Sequence, residues 1–515
     1  MSATMASTRL GEGRSGLFAH FGRDFTASIV VFLVAMPLCM GIAIASGVPP
    51  ERGLVTGIIG GIVVGSLAGS PLQVSGPAAG LAVIVFEFVR EHGLEALGPV
   101  LLLAGVLQLA AGVLRLGGLF RAISPAVVHG MLAGIGALIV IGQFHILFDE
   151  KPLSSGLENL AMMPARIFGL DFGNGAATEL ALALGLLTIG VMLGWERLRP
   201  KSMMLVPGAL LGVVASTAVA WGLDLGVTRV DVPEAIGAAF ALPTSPEWFA
   251  PLTQPALIVT ALAIAFIASA ETLLSAAAVD RMHDGARTKY DKELRAQGVG
   301  NLLCGLVGAL PMTGVIVRSS ANVQAGAKTR LSTMMHGIWI LGFVALLPWL
   351  LQEVPMAALG GVLVVTGWRL VSLKHVRHLL KAHGPLPAAI WAVTFVLVVS
   401  TDLLTGVLVG LALSAIELLP HFKDLRLKVH EHHDDEETRV VLQGAATFIG
   451  LTRLNAVLEK QPASRPVHLD LGNVKAMDHT TAETLTEWII RRRRAGRHDR
   501  VTGPETILRP LPLAG

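Results

Sequence analysis

The chain has 515 residues, 53% hydrophobic and 15% charged, with a formal net charge of +3. Soluble domains carry about 25% charged residues, so this composition sets aside a soluble enzyme and points to a polytopic membrane protein working within a lipid bilayer. The small net charge argues against a nucleic-acid partner. The two cysteines, Cys39 and Cys304, sit in apolar stretches and suggest no disulfide framework, metal centre or cofactor.

The first 24 residues are polar and rich in small side chains, and read as a cytosolic segment rather than a cleaved leader. Apolar segments follow at 25–46, 53–70, 77–90, 98–114, 122–147, 178–195, 205–222, 255–280, 294–310, 314–325, 331–351, 355–371, 385–401 and 403–420. A full span needs about 20 residues, so fourteen transmembrane segments are expected, two of them short. The 57 glycines suit close helix packing in lipid. Beyond residue 425 the composition changes. His430 to Glu437 reads as a solvated charge run, more a linker than a metal site. Val467 to Leu471 then reads as a strand and Thr481 to Arg494 as a helix, so residues 426–515 are expected to form a small cytosolic α/β domain.

Lys and Arg set the orientation. With the N-terminus in the cytoplasm, the inside loops collect sixteen Lys and Arg, against five outside: Arg52, Arg90, Lys151, Arg166 and Arg229. Both termini are therefore expected in the cytoplasm, and the protein in the inner (plasma) membrane. An internal repeat is also visible. Phe25 to Pro77 is 52 residues and Pro255 to Pro311 is 56; Pro77 to Pro125 is 48 and Pro311 to Pro355 is 44. Seven spans per half, about 25–222 and 255–425, make the two repeats inverted, an arrangement of secondary transporters with broken helices at the midplane.

Two segments interrupt the apolar pattern. Val74-Ser75-Gly76-Pro77-Ala78-Ala79-Gly80 and Pro311-Met312-Thr313-Gly314, followed by Arg318 to Gln324, each read as an extended piece leading into a short helix inside the membrane. A helix N-terminus carries unpaired N–H groups and about half a positive charge. Two such ends and one buried arginine suit an anion. Pro77, Ala78 and Ala79 would act through backbone, their small side chains letting an anion touch the amides. Arg318 is the one Lys or Arg deep within an expected span, and its guanidinium is expected to approach the same midplane point as Glu271. A carboxylate at that depth costs roughly 2.5–3.5 kcal/mol, which makes Glu271 a candidate proton acceptor, sodium ligand or gate. Ser275 lies one turn on, on the same face. Ser319 and Asn322 are weaker candidates, because such side chains also join helices. His129, His145 and His336 are expected to pack or hydrogen-bond rather than relay protons.

Several motifs carry a resemblance. Ala35-Met36-Pro37-Leu38, Ala43-Ile44-Ala45-Ser46-Gly47-Val48-Pro49-Pro50-Glu51, Val74-Ser75-Gly76-Pro77, Glu271-Thr272-Leu273-Leu274-Ser275-Ala276, Ala296-Gln297-Gly298-Val299-Gly300-Asn301 and Gly326-Ala327-Lys328-Thr329 stand in order and at the right spacing. Over residues 24–425 the chain resembles the SulP sulfate permeases, the solute carrier family 26 anion transporters. The tail is similar to a shortened STAS domain. The resemblance implies a core domain (spans 1–4 and 8–11) and a gate domain (spans 5–7 and 12–14) with elevator-like motion, and a homodimer. It implies a substrate site at Leu38, Ile42, Pro77, Ala78, Ala79, Glu271, Arg318 and Ser319, with Glu271 and Ser275 for coupling and Thr480 as a phosphorylation candidate. Leu38 and Cys39 follow Pro37 where many members carry glutamine, so recognition leans harder on backbone amides.

The expected activity is secondary active transport of a small inorganic or carboxylate anion (bicarbonate, sulfate or a dicarboxylate), coupled to a proton or sodium. An anion channel shares the site and differs in showing single-channel current. A nucleobase permease of the same fold would want polar side chains where Leu38 stands. A membrane-anchored STAS signalling module would not transport after loss of residues 428–515.

Overall fold

A computed structural model describes residues 19–120, 124–153, 155–169, 177–200, 203–232, 240, 242–243, 245–280, 282–283, 285–372, 376–377, 379–381, 384–416, 427–433, 437–461, 465–494, 499–508 and 511. The side chain of Thr480 and several of the loop cations, Lys201 and Arg281 among them, lie outside this set. The chain divides into two compact units, residues 1–117 with 135–370 and residues 118–134 with 371–515.

In the first unit, α1 (Phe21–Ala45) carries Pro37 in its interior. Helix α2 (Pro50–Ile59) opens on proline, whose missing N–H is harmless in a first turn, and continues through a π turn at Gly60–Val64 to Leu67. Strand β1 (Ser75–Pro77) and a 3-10 turn (Ala79–Leu81) lead into α3 (Ala82–His92). Then come α4 (Leu97–Val113), α5 (Pro125–Leu147), the amphipathic α6 (Gly156–Phe168), α7 (Ala177–Leu198) and α8 (Gly208–Gly222). They are followed by α9 (Pro255–Asp280), α10 (Tyr290–Leu306), strand β2 (Met312–Gly314), α11 (Ile316–Gln324), α12 (Leu331–Leu346) and α13 (Met356–Leu370). By length and composition, α1, α5, α7 and α9 can each cross a membrane on their own, and α4, α8, α12 and α13 are shorter apolar helices. Leu186 and Leu193 on α7 and Val259 and Leu262 on α9 point outward and exposed. Water would penalise such faces and lipid accepts them.

Helices α4 and α10 pack through glycine. A methyl group on Gly105 would stand 2.4 Å from the Leu302 nitrogen, one on Gly298 2.5 Å from the Leu109 nitrogen, and one on Gly305 2.4 Å from the Leu102 nitrogen. Backbone therefore meets backbone, as small residues allow in lipid. The close approach sets the polar side chains of α10 against the two strands described below.

The second unit takes the first turns of α5 with α14 (Pro385–Ser400) and α15 (Leu403–Ile416), both short apolar helices. It also holds a four-stranded sheet of β3 (Lys428–His433), β4 (Thr438–Ala446), β5 (Val467–Met477) and β6 (Arg500–Thr502), in that spatial order. Strands β3 and β4 are antiparallel; β4–β5 and β5–β6 are parallel. Helices α16 (Phe448–Lys460) and α17 (His479–Arg494) complete it. Val440, Leu442, Leu469 and Leu471 from the sheet share one core with Leu454, Leu485 and Trp488 from the helices. His430 to His433 correct the linker expectation: they lie in edge strand β3, paired with β4. Exposed charged side chains are common on edge strands, where they deter further pairing.

Candidate functional site

Strands β1 and β2 cross inside the first unit. They pair antiparallel, with Ser75 opposite Gly314, Gly76 opposite Thr313 and Pro77 opposite Met312. The pairing extends through the Val315 N–H to the Val74 carbonyl (2.9 Å) and the Ala78 N–H to the Pro311 carbonyl (3.1 Å). Backbone polar groups buried in a membrane must be satisfied internally, and a three-residue pair leaves many over. Polar side chains from neighbouring helices meet them. Asn301 of α10 accepts from the Met312 N–H (2.7 Å) and donates to its carbonyl (3.1 Å). Thr272 of α9 accepts from the Gly314 N–H (3.1 Å), and Gln297 donates to the Ser75 hydroxyl (2.6 Å). Glu293, buried one turn before Gln297, accepts from the Ser70 N–H (2.9 Å).

Ser319 belongs to this scaffold. Its hydroxyl accepts from the Val74 N–H (2.9 Å) and donates to the Val315 carbonyl (2.7 Å). Asn322 donates to the Leu72 carbonyl (3.0 Å). Beyond the crossing, Asp24 at the start of α1 is fully buried and accepts from the Lys328 and Thr329 N–H groups (2.7 and 3.1 Å) and the Thr329 hydroxyl (2.7 Å). That carboxylate joins α1 to the link between α11 and α12.

Arg318 is fully buried; none of its three guanidinium nitrogens meets an oxygen acceptor, and the Cys39 thiol is a weak side-chain hydrogen-bond partner. A buried charge without partners is costly and calls for a counter-charge or a donor's acceptor nearby. Its Nη1 lies over Gly76, where a methyl group would stand 2.0 Å away. Cys39 and His336 are its other polar neighbours. Glu271 is half-buried, and its carboxylate faces the Gly80 amide and the Thr313 hydroxyl; a methyl on Gly80 would stand 2.7 Å from Oε2. Arg318 and Glu271 form no ion pair, contrary to the expectation that they meet. One lies against Gly76 and the other against Gly80, a turn of backbone apart.

What remains accessible at the crossing is narrow. Ala79, Glu271 and Val315 are half-buried, and Ile316 and Val317 are exposed at the first turn of α11. The first-turn amides of that helix have no intrahelical acceptors. Beside them lies a cavity of about 300 Å³. Val30, Val34 and Leu38 of α1 and Val317, Ser320, Ala321 and Gln324 of α11 form one wall; the other includes Met192, Glu196 and Arg199, residues 204–205 and 207–209, and Thr366 and Arg369. Of the residues expected in a site, Leu38 lines this cavity. Ile42, Pro77, Ala78, Ser275, Arg318 and Ser319 are buried and do not line it, and Ala79 and Glu271 are half-buried outside its lining. The sequence reading missed Thr272, Glu293, Asp24 and Gln73, whose side chain donates to the Thr272 carbonyl (3.0 Å), although polar residues inside or at the ends of apolar segments were the available signal.

The crossing strands, the helices starting from them and the exposed apolar helix faces define a polytopic helical membrane protein. The sulfate permease family model matches residues 21–394, and the chain belongs to that family. It is 31% identical over 492 residues to the putative sulfate transporter YvdB of Bacillus subtilis, covering 92% of this chain and 89% of that one. It is 24% identical over 448 residues to the bicarbonate transporter BicA of Picosynechococcus, covering 82% and 75%. The fold is similar to the transmembrane domain of a cyanobacterial bicarbonate transporter BicA, with a TM-score of 0.65 at 22% identity over 77% of this chain and 98% of that one. Relatives are sulfate and bicarbonate transporters, which supports membrane anion transport as the activity.

Proposed function

We propose that the protein is a secondary active transporter of a small anion (bicarbonate, sulfate or a dicarboxylate) working by elevator-like alternating access. In this reading fourteen spans form two inverted repeats of seven, about 25–222 and 255–425, with both termini in the cytoplasm. Residues 426–515 are a STAS-like domain, and the protein is a homodimer. The anion sits against the Ala79 amide and the first turn of α11, with Leu38 and Ile42 shaping the apolar side. The observation that carries the reading is Arg318: fully buried in the first turn of α11, with no acceptor oxygen or counter-charge on any guanidinium nitrogen, and lying against Gly76 of the other strand. Its charge acts through the thin backbone of Gly76 rather than by lining the cavity.

Glu271 supplies the coupling. Its carboxylate already faces the Gly80 amide, at the helix start an anion would use. Two negative charges there repel, so the substrate is favoured when a proton or a sodium ion, held with Ser275, neutralises Glu271. The test is purified protein in liposomes, with uptake of labelled bicarbonate, sulfate and fumarate under separate proton and sodium gradients. Uptake of one of them that saturates and is driven by one gradient is expected. Unsaturable, channel-like current would overturn the transporter reading.

A further inference from the structure

The cavity beside α11 holds three charged side chains: Glu196 and Arg199 from the end of α7, and Arg369 from the end of α13. Arg199 donates to the Met204 carbonyl (3.1 Å). Glu196 and Arg369 form an ion pair across the two helices, their side chains 31% and 43% exposed. On the opposite wall the α1 side chains, Val30, Val34 and Leu38, are apolar, and α11 adds Ser320 and Gln324 as uncharged polar groups. Along each helix the order is consistent. Leu38 and Val317 lie toward the strand crossing; Glu196, Arg369 and Gln324 lie at the helix ends that the loop cations place in the cytoplasm.

We propose that Arg369 is a transit site for the anion on the cytosolic path and that Glu196 is its built-in competitor. This rests on the transport reading above. An oxyanion entering the cavity trades places with the Glu196 carboxylate on the Arg369 guanidinium, whose planar fork suits any carboxylate-like or sulfate-like group. For a monoanion the exchange leaves the net charge at Arg369 unchanged, and for a dianion one negative charge is in excess, so in neither case is the guanidinium left as a bare cation. Glu196 thereby keeps Arg369 from holding the anion tightly and sets the affinity seen from the cytosol. The pair could instead be a brace between α7 and α13, and the two roles differ in sign. Removing either partner of a brace weakens transport in the same way. Removing the competitor strengthens cytosolic loading, and removing the site weakens it.

The experiment uses the full-length protein in liposomes, with counterflow of sulfate, bicarbonate and fumarate measured at the cytosolic face. Glu196→Gln is expected to lower the cytosolic half-saturation about two- to fivefold, the range one freed, partly screened charge supplies. Arg369→Gln is expected to raise it by a similar factor, and the double variant to follow Arg369→Gln. The Glu196→Gln gain should shrink as salt rises. Glu353→Gln serves as the control. It breaks the Arg229–Glu353 pair (2.5 Å) just before the opposite end of α13 and should leave the cytosolic value as in wild type. Shifts of the same sign in Glu196→Gln and Arg369→Gln, or none, would overturn the competitor role while leaving transport intact. Absence of counterflow for all three anions in the wild type would instead overturn the transport reading, and this inference with it.

Discussion

The two halves of the crossing share a strand but divide the work. After β1 the chain turns through Ala79 and Gly80 into α3, whose first residues are small and apolar. After β2 it enters α11, which packs Arg318, Ser319 and Asn322 into one turn and a half. The first half offers backbone and makes room: Gly76 lets Arg318 lie against it, and Gly80 does the same for Glu271. The second half brings side chains, one as charge and two as ties to the first half. A pair of nearly equivalent backbone elements thus gains polarity on one side and thinness on the other. Neither alone would hold an anion between them.

The comparison can be broken most completely at Glu271. Replacement by Gln removes the one carboxylate at the first helix start and cannot change charge. Glu271→Gln is expected to abolish acceleration by a proton or sodium gradient while keeping exchange of internal for external anion. Uptake with and without each gradient, beside counterflow in the same liposomes, checks this; full gradient-driven accumulation would place coupling elsewhere. At the second helix start, Arg318→Ala should weaken anion affinity about tenfold: a charge acting through intervening backbone contributes less than the roughly 1.5–3 kcal/mol of a direct charged hydrogen bond, which sets the upper limit. Half-saturation of uptake is the readout, with thermal stability as the check on folding. Unchanged affinity would mean that Arg318 serves only the scaffold.

Sterics sharpen the same contrast. Ala79 is the half-buried small residue at the first helix start, so Ala79→Leu should raise half-saturation several-fold, about 1 kcal/mol of obstructed contact. A bulky residue tolerated there would move the anion wholly to α11. The smallest effect lies outside both halves. The Arg439 hydrogen bond (2.6 Å) holds the Asp470 carboxyl below the usual carboxylate range. A carboxyl with a lowered folded value contributes stability above its ordinary value and loses it as pH falls through the lowered one. Asp470→Asn should therefore cost under about 1 kcal/mol near neutral pH and nothing in strong acid, read as the melting temperature against pH. Transport that tracked this variant would tie the tail to the crossing.

Much of the helical framework was legible, because apolar run length alone fixes where a helix can lie in lipid. The break at Pro77 and the polar run after Gly314 likewise marked both strands and helix starts. The orientation of Arg318 was not legible. Whether its guanidinium turns toward Glu271 or toward Cys39 and His336 depends on strand register between segments some 240 residues apart in sequence, and no local pattern encodes it. Glu293, Gln297 and Asn301 were hard to interpret for a related reason. They look like a polar fault in a span, and become intelligible once the strand groups they satisfy are in place. His430 to His433 misled through composition: charge density suggested solvent, while the pairing partner that makes a strand lies further along the chain.

The stripe of Val30, Val34 and Leu38 along α1 has a mechanical meaning. Residues four apart stack into a single ridge. Directed bonds hold that ridge to its own side, through Asp24 and the α11–α12 link, whereas the ridge itself offers neighbours only dispersion contacts. Dispersion has no preferred bearing, though a gap of about 0.5–1 Å already forfeits a quarter to a half of a contact. A ridge of this kind carries no hydrogen bond that a sideways shift would have to break, and what resists such a shift is close packing alone.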